Sequence, residues 1–165
     1  MNPVIFIEPQ PNIFTQLKQR VGDDAICFNL AAGNHIGEIE LWTNDDDRNG
    51  ASSVLEPKIV AEQYPNIKLD KKIIVPITKV DSLGLPQTNF INIDIQGYEL
   101  EALKGAKNYL GSVDYIMSEV NKEELYKGCA NIEELDFYLA RFGFIRVETN
   151  WAGGNWGDAF YIKQK

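Results

Sequence analysis

Residues 90–106, FINIDIQGYELEALKGA, constrain the fold more than any other stretch of the chain. Phe90-Ile91-Asn92-Ile93 carries the aromatic and β-branched side chains of a buried strand. The run closes on Asp94, turns at Gly97 and continues as an amphipathic helix over about 98–110, with Leu100, Leu103, Ala106 and Leu110 on one face. A strand feeding a helix in this way is the unit of a parallel α/β sheet. Such sheets bind ligands beyond the carboxyl ends of their strands, and Asp94 and Gln96 stand there. A second apolar run, Val4-Ile5-Phe6-Ile7, closes on Glu8. Two acids at two strand ends predict one site.

The remaining segments keep the alternation. Val4–Ile7 is apolar throughout, as expected of a strand covered on both faces. Pro11 favours a helix start. Ile13, Phe14, Leu17 and Val21 follow at helical spacing, and Gly22 ends the run. Strands are predicted at 25–30, with Ala31-Ala32-Gly33 as a small-residue exit, and at 37–43, where apolar and acidic residues alternate. Residues 44–53 read as a polar loop. Its three aspartates do not match an EF-hand, and Ser52 and Ser53 are placed toward the site. A short helix is expected near 57–63, and an edge strand over 73–80 because of Pro76. The strand over 114–120 closes on Glu119. Asn131 and Glu134 form a capping box for a helix with Ile132, Leu135, Leu139 and Phe142 inward, stopped by Gly143. Two last strands, 144–149 and 158–163, form an antiparallel hairpin around Trp151 and Trp156.

A chain of 165 residues with 44% hydrophobic and 24% charged residues is of ordinary globular make-up and long enough for one core. Its net charge of −8 removes the basic footprint of a nucleic-acid binder. The sequence lacks a signal peptide and any apolar run of membrane-spanning length. Cys27 and Cys129 have no CxxC spacing, and His35 is the single histidine, so no metal site is expected. A reducing cytoplasm fits two unpaired cysteines.

Five pieces in order, FIEPQPNIFTQL (6–17), NLAAGN (29–34), ITKVDSL (77–83), FINIDIQGYELEALKGA (90–106) and GDAFYIK (157–163), resemble the FkbM-like methyltransferases. The resemblance implies a Rossmann-like, three-layer α/β fold, a mostly parallel sheet with an antiparallel C-terminal hairpin, and S-adenosylmethionine as methyl donor. By resemblance, Glu8, followed by Pro9, takes the ribose hydroxyls of the donor, a task suited to a carboxylate that can accept two hydrogen bonds; the plain reading is an exposed glutamate ahead of a helix, favoured by the helix dipole. Ala31, Ala32 and Gly33 lie where the family packs the adenine, although small residues equally suit a tight loop. Asp94 lies beside the methyl group, as acceptor-orienting group or general base; a capping carboxylate is the plain reading, and the two are compatible. Gln96 and Glu99 bind the acceptor or cap the helix. Trp151 and Trp156 stack on a sugar acceptor or pack the hairpin.

The family pattern also carries a first strand and a glycine-rich loop ahead of Glu8-Pro9, whereas this chain passes from Met1-Asn2-Pro3 straight into the second strand. In that order the first strand is central, so its absence leaves a gap of about 9.6 Å, two strand spacings. The expectation is a single domain over 1–165, N-terminally truncated and lacking the first strand. Its gap would be closed by direct pairing or by a homodimer through an exposed sheet edge. Without the glycine-rich loop, binding of S-adenosylmethionine by this chain alone should be weak or lost. The leading reading is an O-methyltransferase acting on a hydroxyl of a sugar or small metabolite. The rival is a catalytically incomplete remnant serving as a binding or assembly module. A nicotinamide-dependent oxidoreductase ranks last, because no GxGxxG turn occurs.

Overall fold

A computed structural model describes residues 3–44, 50–152 and 154–164. Strands β1 (Val4–Ile7), β2 (Ala25–Phe28), β3 (Ala31–Ala32), β4 (Gly37–Thr43), β5 (Lys71–Thr78), β6 (Phe90–Ile93), β7 (Tyr115–Asn121), β8 (Phe144–Trp151) and β9 (Trp156–Lys163) alternate in part with helices α1 (Pro11–Val21), α2 (Ile59–Gln63), α3 (Glu99–Gly105) and α4 (Ile132–Ala140). The three aspartates at 45–47 lie outside the described residues.

The strands form three sheets, not one. β1 pairs with β2 in parallel; β5 lies between β3 and β4; and the third sheet has the order β6-β7-β9-β8. Three pairings are parallel and three antiparallel, so the sheets are mixed. The outer edges of β1 and β6 have no strand partner among the described residues. The expectation that β1 is covered on both faces is corrected accordingly. Val4 is 52% exposed, and Ile5, Phe6 and Ile7 are only half-buried, because β2 is the sole neighbouring strand and α1 buries no residue fully.

The main core lies between the four-stranded sheet and α3 with α4. Leu103, Ile116, Leu135, Leu139, Phe144 and Tyr161 close it. Ile91 and Ile93 of β6 face this core. Phe90, their alternate on the strand, is 48% exposed, and its register partner Tyr115 is 40% exposed and stacks on Phe160. Helices therefore cover one face of this sheet, and the expected three layers are seen only in part. A second cluster gathers Ala51, Val60, Leu69, Leu125, Tyr126 and Cys129, and a third joins Ala31, Leu41, Val75 and Ile77.

Local signals explain the helix ends. Pro11 starts α1, and Gly22 ends it at φ 57°. Asn131 accepts from the Glu134 amide while the Glu134 carboxylate accepts from the Asn131 amide, a complete capping box. The edge-strand expectation at Pro76 is corrected, since β5 is central. Proline is tolerated there because β3 reaches only Ile77 and Thr78, so no strand on that side requires an N–H from Pro76.

Candidate functional site

β6 ends at Ile93, and the next three residues form the turn that shapes the site. Gln96 (φ 57°) and Gly97 (φ 97°) are consecutive left-handed residues, and Gln96 is the only non-glycine with positive φ among the described residues. That conformation costs a side-chain-bearing residue about 1–3 kcal/mol, and the surroundings hold it. Ser53 Oγ donates to the Gln96 carbonyl at 2.7 Å. Glu99 Oε1 accepts from the Ile95 and Gly97 amides at 2.9 and 3.0 Å. Gly97 is required by contact as well as by φ: a Cβ there would lie 2.7 Å from Cys129 Cβ.

The Gln96 side chain is fully engaged. Its Nε2 donates to Asp94 Oδ1 at 2.7 Å and to Glu119 Oε2 at 3.0 Å, while its Oε1 accepts from the Tyr126 hydroxyl at 3.0 Å. Asp94, Glu99 and Glu119 thus bring carboxylate oxygens within 4.8 Å of one another, Asp94 exposed and the other two buried. The ion pairs between described residues, such as Lys104–Glu101 and Arg146–Asp136, engage other carboxylates. Burial raises Glu99 to about 7, against backbone hydrogen bonds that favour its charge. Burial, reinforced by the charges of Asp94 and Glu99, raises Glu119 to about 9. Burial and the same acids push the Tyr126 hydroxyl up. A groove lined by Gly97, Tyr98, Glu101, Lys104, Glu124 and Cys129 opens beside this turn.

Glu8 occupies the corresponding place after β1. Its amide donates to Phe28 O, and its Oε1 accepts from the Gln10 amide at 2.7 Å. Asn29 Nδ2 donates to the Glu8 and Pro9 carbonyls, tying the β2 exit to this turn. From there a polar chain runs along the rim. Thr43 Oγ1 donates to Gln10 Oε1 at 2.8 Å, Ser52 Oγ donates to Thr43 Oγ1 at 3.1 Å, and the adjoining Ser53 holds Gln96. The Glu8 and Asp94 turns are therefore linked across all three sheets.

The other sequence candidates sit as follows. Ala31 and Ala32 form β3 on Ile77 and Thr78, and Ala31 is part of a core cluster. Trp151 packs against the main core, with Lys122 Nζ 4.0 Å from its ring centroid. Trp156 donates from Nε1 to the Tyr64 hydroxyl at 2.8 Å. Glu119, in the sequence only a strand end, joins Asp94 and Glu99 in the structure. Its signal was the same one that marked Asp94, a carboxylate closing an apolar run.

Residues 2–146 match the sequence model of the methyltransferase FkbM domain. The chain belongs to the FkbM methyltransferase family. The chain is similar to two curated methyltransferases. It is 26% identical over 132 residues to the 2-O-methyltransferase NoeI of Sinorhizobium fredii, covering 73% of this chain and 54% of NoeI. It is 28% identical over 121 residues to the hexuronic acid methyltransferase AglP of Haloferax volcanii, covering 72% of this chain and 47% of AglP. This FkbM-family chain thus spans about half the length of the curated relatives it matches. Its fold is similar to that of the crystal structure of methyltransferase FkbM from Methylobacillus flagellatus, with a TM-score of 0.61 at 16% identity over 97% of this chain and 36% of that one. Among the described residues no helix is long and apolar enough to cross a membrane.

Proposed function

We propose that this chain carries the donor and acceptor rim of an S-adenosylmethionine-dependent O-methyltransferase whose acceptor is a hydroxyl of a sugar or small metabolite. The observation that carries the reading is the hydrogen-bonded rim from Glu8 to the Asp94–Gln96 turn, in a chain of this family. The name of NoeI, a 2-O-methyltransferase, favours transfer to oxygen, and that of AglP, a hexuronic acid methyltransferase, favours a sugar acceptor. The residues suit the donor. Glu8 offers a half-buried carboxylate at a strand end, and the donor's ribose presents two hydroxyls that a carboxylate can accept. Pro9 shapes that turn, and Ala32, half-buried beside the core residue Ala31, is the small residue set against the flat ring. When bound, the donor supplies a sulfonium methyl group.

Asp94 is exposed at the rim and is the group that takes the acceptor's hydroxyl proton as the oxygen gains the methyl. Glu99 caps its own turn, and Gln96 holds Asp94, so both act behind the acceptor rather than on it. Trp151 and Trp156 remain candidate acceptor walls at the hairpin end. The site works in the reducing cytoplasm, where Cys27 and Cys129 stay free thiols, as they are here.

The test is methyl transfer from labelled S-adenosylmethionine, at high concentration, to an oligosaccharide ending in a hexuronic acid. Transfer that falls about 10²–10⁴-fold in Asp94→Asn supports the reading; equal transfer by wild type and variant overturns it. The open edges of β1 and β6 also favour a second reading, an assembly module. It predicts a homodimer in sedimentation and no effect of Asp94→Ala on any transfer.

A further inference from the structure

We propose that Glu119 and Gln96 are positioning residues for Asp94: the Glu119 carboxyl holds a proton and donates it in a hydrogen bond to Asp94, while the Gln96 amide straps the two acids together. The inference rests on the reading of Asp94 as the acceptor-side acid.

The geometry leaves little choice. Asp94 and Glu119 bring carboxylate oxygens within 4.8 Å of each other, and Gln96 Nε2 hydrogen-bonds to both; two ionised carboxylates are acceptors only, so a direct bond between them requires that one carries the proton. Glu119 is 6% exposed whereas Asp94 is exposed, and the buried member is the one whose charge is least tolerated. Gln96 Nε2 contacts both acids, and its Oε1 faces the Tyr126 hydroxyl, whose single proton it shares with the Ala51 carbonyl. A reversed amide would set its oxygen against both acids. The titratable groups set against Glu119 are acids and a phenol: Asp94 from the β6 turn, Glu99 from α3, Tyr126 from the segment after β7, and Asp158 directly across on β9. Burial and the neighbouring acids that raise Glu119 agree with a retained proton.

The pair therefore holds one proton and one negative charge, and Gln96 fixes the direction in which Asp94 points. An acceptor hydroxyl meets an acid already oriented from behind. Loss of the strap would free Asp94 to rotate into solvent.

Carboxyl carbon NMR of the chain, titrated without donor or acceptor, tests this directly. Glu119 is expected to be protonated at neutral pH and to titrate near 9, a signal that Glu119→Gln removes. Asp94→Asn, at an exposed position compatible with folding, should lower the Glu119 midpoint by about one unit or more by removing a neighbouring charge. Gln96→Leu should raise it by removing a donor to the ionised form. Titration of Glu119 in the ordinary carboxylate range, or an unmoved midpoint in Asp94→Asn, overturns the proposal. No methyl transfer enters this measurement, so its failure and a failure of the methyltransferase reading are separate results.

Discussion

Gly105 and Gly33 touch backbone to backbone. A Cβ on Gly105, the last residue of α3, would fall on the carbonyl oxygen of Gly33 and lie 2.8 Å from its carbonyl carbon. The helix that leaves the Asp94 turn is thereby pressed against the loop that leaves β3, next to Ala31 and Ala32. Neither partner is the flexible end of a side chain, so the backbone itself must move to admit a methyl group. Gly105→Ala is expected to cost about 1–3 kcal/mol. Gly111→Ala, with nothing within 4 Å of its Cβ, should stay within about 0.5 kcal/mol of wild type. Urea unfolding midpoints compare the two, and equal midpoints would contradict the close approach.

The capping box on α4 offers a second check. Asn131→Ala removes the acceptor for the Glu134 amide and should destabilise the chain by about 1 kcal/mol. Glu134→Ala leaves the Asn131 amide without its carboxylate and should cost less, because that amide can reach water. Thermal unfolding of the two variants gives the order.

The buried acids set a pH dependence. An ordinary glutamate titrates near 4.5, whereas Glu99 is raised to about 7 and Glu119 to about 9. Between the unfolded and folded values the native state binds more protons than the unfolded chain, so stability falls as pH rises. The contribution is fully present below 4.5, is lost through 7 for Glu99, and continues to fall toward 9 for Glu119. Each group adds a slope of at most about 1.4 kcal/mol per pH unit. Glu119→Gln should flatten the decline above neutrality and leave the part due to Glu99. Chemical unfolding across this range checks the sign, and a steeper decline in the variant would contradict it.

Local chemistry made several elements legible in the sequence. The Pro11 start and Gly22 stop of α1, the Asn131–Glu134 box and the alternation of β4 each depend on residues within a few positions of one another. What depended on distant neighbours was harder to see. Pro76 suggested an edge because sequence does not reveal that β3 is only two residues long. Helix α3 ends at Gly105 rather than continuing to Leu110, where the chain is instead in a short 3-10 turn over Tyr109–Ser112 whose leading amides, Asn108 and Tyr109, bond to Asp81. The division into three sheets depends on which strands pair across the molecule, and no local signal carries that. In the site, Asp94 stood out because it closes an apolar strand. Glu119 closes a comparable run, but its meeting with Asp94 requires β6 and β7 to pair with Ile93 beside Ser118. Gln96 became readable as a strap only once Tyr126, Asp94 and Glu119 were seen around it.

The shared rim is tested most directly by amide chemical shifts of the isotopically labelled chain during titration with S-adenosylmethionine, which reports weak binding as readily as tight. The expected result is a set of shifts at Glu8, Gln10, Ala32 and Gly33 together with Ile95, Gln96 and Gly97, moving with one common affinity. Shifts confined to other parts of the chain, or a Glu8 turn and an Asp94 turn that respond with different affinities, would contradict a single donor site between them.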